Sequence, residues 1–298
     1  MDTSKLIGHL ACFVAYAIFG VNIIVCKDLT SSQLISPLAL FTLRSVGAGL
    51  LFWVISFFMP RERVAWSDHP KILCASVLGF LLTQLTFLIA IPHITPLDCS
   101  ITSAMSPIYT MIIAAIVLRE PITWQKAGGV LLSFAGIVFL LLNSATAGGA
   151  TQTTTIGLLL MIANCICFSL YLGIFKPLIS RYSVVTFMKW IFFYSTLMSL
   201  PFSFTEVVGL NYGLLPRNIV AELAFLILCS TFITYFLIPV GQRRIRPTLV
   251  SMYSYVQPII ATAISIYIGM DTLDWQKIVA AVAVFAGVVV VSRSRAKV

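Results

Sequence analysis

The side chains that could do chemistry in this chain are amides, hydroxyls and phenols set within long apolar stretches. Burying such a group without a hydrogen-bond partner costs roughly 2–7 kcal/mol, so each needs a neighbouring helix or a bound solute. A cavity of these groups with aromatic walls suits a small polar or amphipathic solute. For each residue a structural hydrogen bond between helices is the alternative. The candidate substrate-binding residues are Asn22, Gln84, Ser103, Tyr109, Asn164, Tyr171, Tyr235, Ser254, Tyr255 and Gln257.

Two cations, Arg44 and Lys189, also lie inside apolar stretches, where an ionisable residue is a functional candidate by default. Arg44 falls close to mid-membrane, roughly 14 Å along its helix at 1.5 Å per residue. Its guanidinium could bind a substrate carboxylate or phosphate through two hydrogen bonds. It could equally brace carbonyl groups of a bent helix or organise a gate. Lys189 is shallower and could extend its amine to the interface.

Two prolines, Pro107 and Pro258, are predicted to bend the helices that contain them. Proline inside a helix removes one backbone hydrogen bond and frees the carbonyl four residues earlier, which here belongs to Ser103 and to Ser254. In a membrane, irregular backbone is placed against protein or a wet cavity. We therefore expect two bent, hydroxyl-lined helices, whose serines either face a substrate path or let helices pack closely.

The elements that position these residues must be membrane helices. Of the 298 residues, 59% are hydrophobic and 10% are charged, whereas about a quarter of the residues in soluble domains are charged. A helix that crosses the bilayer core needs roughly 20 apolar residues. Stretches of that length predict ten spans, at residues 6–26, 35–58, 72–91, 98–118, 124–142, 156–175, 184–204, 219–240, 248–268 and 275–292.

Several classes of function lack the residues that they require. The net charge of +9 comes without a long basic run with interleaved aromatics, so no nucleic-acid partner is expected. The seven cysteines form no CxxC pair, and the three histidines form no HExxH motif, so neither a metal site nor an enzyme is expected. There is no GxxxxGK[ST] sequence for ATP binding. We predict no cofactor.

The sequence repeats itself at an offset of 151 residues. Trp-Gln-Lys at 124–126 returns at 275–277, and Pro107 returns as Pro258. A repeat of this length in a membrane protein is most often the mark of a transporter. The predicted units are a first five-helix repeat at 1–143, a linker at 144–155 and a second repeat at 156–298.

The distribution of basic residues predicts how the two repeats are oriented. If the amino terminus is inside, fourteen of the nineteen lysines and arginines fall in inner segments and three in outer ones, as expected for cytoplasmic loops. Both termini are therefore predicted to be cytoplasmic. Because five helices are an odd number, the second repeat is inverted relative to the first. Such repeats place a substrate site at their interface near the bilayer midplane.

Two segments share a pattern of aromatic, proline and glycine residues with a known family. The first runs from Phe87 through Pro96, Pro107, Leu118-Arg119-Glu120-Pro121 and Trp124 to Ala135-Gly136, and the second from Pro247 through Pro258 and Asp271 to Gly287. Each resembles an EamA-type module of the drug/metabolite transporter superfamily, and together they cover nearly the whole chain. The resemblance implies ten helices, with helices 1, 3, 4, 6, 8 and 9 around a central cavity and helices 5 and 10 behind it.

The expected protein is a secondary transporter, an exporter or facilitator that works by alternating access in the bacterial cytoplasmic membrane. Its partners would be the lipid bilayer and a small polar, zwitterionic or anionic metabolite such as an amino acid, and it would be a monomer or homodimer. The alternatives are proton-coupled multidrug efflux and a non-transporting membrane receptor or scaffold. No carboxylate falls in the middle of a span, whereas small multidrug exporters, distant relatives by the resemblance, use one in their first helix. This difference disfavours a cationic-drug antiporter.

Positions where the repeats differ are expected to set substrate choice, whereas matching positions serve the shared machinery. Glu120 and Asp271, equivalent residues at span ends, are expected to cap turns or pair with nearby cations. The differing pairs of interest are Gln84 with Tyr235 and Ser106 with Gln257, at the offset of 151, and Asn22 with Tyr171, since the amino-terminal parts of the halves align at an offset of 149.

Overall fold

A computed structural model of the chain describes residues 3–94, 102–103, 105–144, 154–210, 212–267 and 275–294, and the regular elements among them are helices. In the first half, α1 is Thr3–Ser31, α2 is Pro37–Phe57, α3 comprises His69–Ser76, Val77–Leu82 and Thr83–Ala90, α4 is Ser106–Val117 and α5 is Trp124–Ser144. In the second half, α6 is Thr155–Ile174, α7 is Val184–Gly209, α8 comprises Arg217–Phe225, Leu226–Ile233 and Thr234–Arg244, α9 comprises Pro247–Met252, Tyr253–Tyr255 and Val256–Tyr267, and α10 is Trp275–Arg293.

Several helices begin at hydroxyl caps that the sequence places just before an apolar run. The Ser36 side chain accepts a hydrogen bond from the Ala39 amide, and Pro37 follows at the first helical position. The Thr154 and Ser183 side chains cap α6 and α7 in the same way. These caps fix where each helix starts.

Among the described residues, six helices are long and apolar enough to cross a membrane: Thr3–Thr30, Pro37–Phe57, Trp66–His93, Thr155–Ile174, Val184–Gly209 and Arg217–Arg244. They coincide with six of the ten predicted spans. The span predicted at 98–118 contains the shorter helix α4, of 12 residues, and residues 98–101 and 104 lie outside the described residues. The linker predicted at 144–155 also lies largely outside them. A short helix at Lys176–Arg181, between α6 and α7, was not predicted.

The two halves of the chain pack against each other and form one core. Helix α2 lies against α7, α5 against α10, and α1 against α8 and α9, while α6 lies against α3 and α4. Each of these contacts joins an early helix to a late one. The main apolar cluster accordingly draws buried side chains from both halves, such as Phe52 and Phe80 with Phe192 and Tyr235. A smaller cluster of Ala90, Ile94 and Met161 also draws from both halves, so neither half has a core of its own among the described residues.

Three side-chain hydrogen bonds join positions that the repeat makes equivalent. All three pairs are 151 residues apart in sequence, and they lie between α2 and α7, α3 and α8, and α5 and α10. A residue meets its own counterpart only close to an axis that exchanges two copies. The bonds are Ser45 Oγ with Thr196 Oγ1 at 2.8 Å, Gln84 Nε2 to the Tyr235 hydroxyl at 3.0 Å, and Ser133 Oγ to the Val284 carbonyl at 3.0 Å.

Helices α3 and α8 each contain a π-helical segment, at Val77–Leu82 and Leu226–Ile233. These segments also occupy corresponding positions of the two halves. Threonine hydroxyls satisfy carbonyls of the widened turns, since Thr83 donates to the Leu78 carbonyl at 2.6 Å and Thr231 to the Leu226 carbonyl at 2.7 Å. Single π turns occur frequently at functional sites. The sequence did not reveal them.

Ion pairs between charged side chains join neighbouring segments at the starts of α3 and α5. The buried Asp68 carboxylate accepts from Lys71 and Arg181, each at 2.7 Å, and from the Tyr182 hydroxyl at 2.7 Å. The contact ties the start of α3 to the segment that connects α6 and α7. At the start of α5, Lys126 pairs with Glu120 at 2.8 Å, so the expected pairing of Glu120 with a nearby cation is confirmed. Its equivalent, Asp271, lies outside the described residues.

Helices α5 and α10 approach closely at a small-residue contact. A Cβ added at Gly129 would lie 2.6 Å from Val291 Cγ2 and 2.8 Å from the Gly287 carbonyl oxygen. Small residues at such positions let membrane helices pack backbone to backbone. The neighbouring Gly128 has open space, because a Cβ there would meet nothing within 4 Å.

Replacing Gly129 by alanine is expected to lower the thermal unfolding temperature of the purified protein by several degrees. The added methyl overpacks the α5–α10 contact, and overpacking costs roughly 1–3 kcal/mol. The matched control is Gly128→Ala, which adds the same methyl one residue earlier and should not destabilise the protein. Equal unfolding temperatures for the two variants would contradict this packing.

Candidate functional site

A cavity of about 90 Å³ lies within the helix bundle. This volume is several times the 10–15 Å³ that one water molecule needs on a comparable measure. The lining residues belong to α1, α3, α6, α8 and α9 and to the start of α4. These are the six helices that the family resemblance implied.

Seven of the predicted binding residues line this cavity: Asn22, Gln84, Ser103, Asn164, Tyr235, Ser254 and Gln257. They come from six separate parts of the sequence, and the fold brings them together. Their role in binding stays a prediction.

Arg44 lies outside the cavity wall, contrary to the expectation of direct substrate contact. Its side chain is 1% exposed and extends from α2 to the π segment of α8. There, Nε donates to Thr231 Oγ1 at 2.9 Å and a terminal nitrogen donates to Ser230 Oγ at 3.4 Å. A long side chain can extend in more than one direction from its helix, and the Arg44 guanidinium here donates to hydroxyls of the π segment.

Three predicted tyrosines are also absent from the wall. Tyr171 is buried between the Phe168 ring and Gly79, and Tyr255 is fully buried. The Tyr109 hydroxyl lies 3.9 Å from the Met105 sulfur. Tyr255 misses the cavity because α9 contains a 3₁₀ turn, which has three residues per turn.

The same turn explains which residues of α9 do reach the cavity. Ser251, Ser254 and Gln257 line the wall. Ser254 lies in the 3₁₀ turn, Ser251 just before it and Gln257 just after it, and a 3₁₀ turn aligns residues spaced by three. In a regular α-helix, as the sequence predicted, both Ser254 and Tyr255 would share the face of Ser251.

Both prolines adjoin an interruption of helix. Met105 forms a turn, and α4 starts at Ser106 with Pro107 in its first turn, where the missing amide has no intrahelical partner to lose. On α9, the 3₁₀ turn ends at Tyr255 and α-helix resumes two residues before Pro258. The helices are therefore broken in front of the prolines rather than kinked around them.

The cavity wall contains residues that the sequence reasoning did not select. On α1, Tyr16, Phe19 and Ile23 share a face with Asn22, and their spacing of three to four residues was the available signal. The others are Thr83, Phe87, Met161, Phe168 and Ser251. Ser106, which the sequence singled out for its difference from Gln257, also lines the wall.

Three polar atoms in the wall are buried without a hydrogen-bond partner in the described part of the chain: the Tyr16 hydroxyl, Gln84 Oε1 and Ser254 Oγ. Buried polar groups in proteins are nearly always paired, with protein or with ordered water. A bound solute or water could satisfy these three atoms, whereas the other unpaired buried atoms of the described residues belong to side chains outside the wall, at Tyr171, Glu222, Gln242, Thr248 and Tyr255.

The described wall has no ionisable carboxylate, amine, guanidinium or imidazole. Recognition at this site therefore depends on neutral hydrogen-bonding groups and on aromatic rings. Among the described residues, no group of three or more His, Cys, Asp and Glu side chains could hold a metal ion.

A family model described as "EamA-like transporter family" matches residues 6–142 and again residues 155–293. A crystal structure covering 97% of this chain and 96% of its own has a TM-score of 0.75 at 15% sequence identity, a likeness that concerns the fold alone.

Three relatives are named as transporters or exporters. An uncharacterized transporter of Archaeoglobus fulgidus is 26% identical over 69% of this chain and 70% of its own length. A probable terminal-alkyne amino-acid exporter of Streptantibioticus cattleyicolor is 25% identical over 49% and 46%. An S-adenosylmethionine/S-adenosylhomocysteine transporter of Chlamydia muridarum is 31% identical over 44% and 42%.

Single cysteines can test the cavity wall. In a background lacking the seven native cysteines, Ser103→Cys and Ser254→Cys should react with a small polar thiol reagent, because both positions line the cavity. Ser195→Cys is the matched control, since Ser195 is fully buried at the α3–α7 contact, where it bonds Ser76. Labelling measured by mass spectrometry that is equal at all three positions would contradict the placement.

Proposed function

The chain belongs to the EamA-like transporter family, and we propose that it is a secondary carrier for a small zwitterionic or anionic metabolite, such as an amino acid. It works by alternating access in the bacterial cytoplasmic membrane. The observation that carries this proposal is the cavity with its unpaired polar atoms on Tyr16, Gln84 and Ser254. Because buried polar groups are nearly always paired, a solute or water in the cavity is the partner that we propose for these atoms.

In the proposed architecture, ten helices form two inverted repeats of five, at 1–143 and 156–298, joined by a linker at 144–155, with both termini in the cytoplasm. The hydrogen bonds between residues 151 apart support a two-fold relation between the repeats. Transporters with inverted repeats alternate between outward and inward states as one bundle rocks against the other.

The elements that could deform during such a motion adjoin the cavity. The breaks before Pro107 and Pro258 lie on α4 and α9, and the π segments lie on α3 and α8. A broken or widened helix holds fewer regular hydrogen bonds, so its two parts can tilt separately. We propose that these four places are the hinges.

The proposed substrate class combines the wall with the relatives. S-adenosylmethionine and terminal-alkyne amino acids, named for two relatives, both carry an α-amino-acid group. The side-chain amides of Asn22, Gln84 and Asn164 can bind such a group, and Phe19 and Phe87 supply apolar walls. The absence of a carboxylate from the described wall disfavours a cationic drug as substrate.

Thermal-shift screening of the purified protein against amino acids, nucleosides, sugar phosphates and organic acids should show the largest stabilisation with an amino acid, because a ligand that binds the folded state stabilises it. Proteoliposomes preloaded with the unlabelled amino acid should then accumulate the labelled form by counterflow. Asn164→Leu, which removes a wall amide, is expected to reduce the initial rate about tenfold.

The matched control is Asn218→Leu, at an exposed position near the start of α8, which should transport normally. If no class of solute shows more counterflow than protein-free liposomes, the proposal that this protein is a carrier is rejected. Counterflow with another class alone would reject the amino acid as substrate.

A further inference from the structure

The Arg44 guanidinium is a buried charge whose described partners are all neutral. Its nitrogens donate to Thr231 and Ser230 and lie 4.0 Å from the Cys26 sulfur. Three ion pairs occur among the described residues, and none of them includes Arg44. Because a charge acts more strongly in a low-dielectric interior than in water, Arg44 imposes a positive potential on its surroundings.

A chain of hydrogen bonds links this charge to the cavity. A guanidinium can only donate, so Ser230 accepts from Arg44 and keeps its own proton. Ser230 donates that proton to Asn22 Oδ1, which also accepts from the Cys26 thiol at 3.5 Å. Since its oxygen is occupied twice, the Asn22 amide is left with its NH₂ group for the cavity. This part of the wall is therefore a donor next to a positive charge.

The Gln84 side-chain amide, on α3, leaves an acceptor free, whereas the Asn22 amide leaves a donor free. The Gly79 carbonyl can only accept, so the Tyr235 hydroxyl donates to it at 3.5 Å and accepts from Gln84 Nε2 at 3.0 Å. Gln84 Oε1 is consequently the free atom, and it is buried without a partner.

The Asn164 side-chain amide, on α6, also leaves an acceptor free, as the Gln84 amide does. Asn164 Nδ2 donates to the Thr83 carbonyl, which leaves Asn164 Oδ1 to accept. Both residues line the cavity. This part of the wall is therefore an acceptor with no positive charge of its own.

We infer that the cavity is a polarised site for a zwitterion, with the carboxylate at Asn22 Nδ2 and the ammonium at Gln84 Oε1 and Asn164 Oδ1. Arg44 is a positioning residue, which acts on the carboxylate through Ser230 and Asn22 rather than by contact. This inference rests on the proposed function and specifies how the substrate is oriented in the site.

Three probes test the polarity: L-methionine, its decarboxylated amine 3-(methylthio)propylamine and its deaminated acid 4-(methylthio)butanoate. Their dissociation constants are measured by titration calorimetry on the full-length protein. The unmodified protein should bind L-methionine about tenfold or more tightly than either analogue, because each analogue leaves one end of the site unpaired.

The two ends should respond separately to substitution. Arg44→Gln should weaken L-methionine and the acid about tenfold and leave the amine unchanged or tighter. Gln84→Leu should weaken L-methionine and the amine but not the acid. The matched control is Lys189→Gln, which removes the other intramembrane cation, 5.0 Å from the centre of the Trp53 ring, and should change none of the three constants.

Equal weakening of all three probes by Arg44→Gln, or no weakening, would overturn the inference while leaving amino-acid transport intact. If Arg44→Gln fails to fold, Asn22→Asp provides the test. A carboxylate at position 22 should abolish binding of the acid and leave binding of the amine intact. Unchanged binding of the acid by Asn22→Asp would overturn the inference. An unmodified protein that binds none of the three probes overturns the inference as well. Counterflow with the whole amino-acid set then shows separately whether the proposed function also fails.

Discussion

The absence of water from the bilayer core is the constraint on which this structure depends, because polar groups there must find partners within the protein. Thr83 and Thr231 satisfy carbonyls of the π segments, and Ser230 satisfies Asn22. Where the fold supplies no partner, the orphaned atoms of Gln84 and Ser254 collect around one cavity. The cavity is therefore one of the places where the helices leave polar groups without a protein partner.

The interleaving of the two halves determines what kind of motion is available. Since α1 packs on α8 and α9, and α6 packs on α3 and α4, no helix group can move without exchanging contacts with the other half. The close contact at Gly129 and Gly287 instead holds α5 and α10 together. In the proposed transport cycle, we therefore expect rearrangement around the cavity, where helices are broken or widened, and resistance to it behind the cavity.

The sequence predicted the helices and much of the wall because apolar length and helical spacing are local properties. Asn22 and Gln84 lie in the wall for that reason. It failed for Arg44, whose long side chain reaches a hydroxyl pair on a distant helix, and for Tyr255, which a 3₁₀ turn rotates away. Neither outcome has a local cause, since tertiary packing selects the partner and the type of helical turn.

The hydrogen bond between Gln84 and Tyr235 has a consequence for how this protein can evolve. A chain that carries the same family module twice presents these two positions as descendants of one ancestral position, and here they touch. A substitution at either position therefore changes the contact with the other position directly. Divergence along this contact must proceed by compensating pairs of substitutions. Ser106 and Gln257 form no such bond with each other in the described part of the chain, so these two positions can change independently and alter specificity.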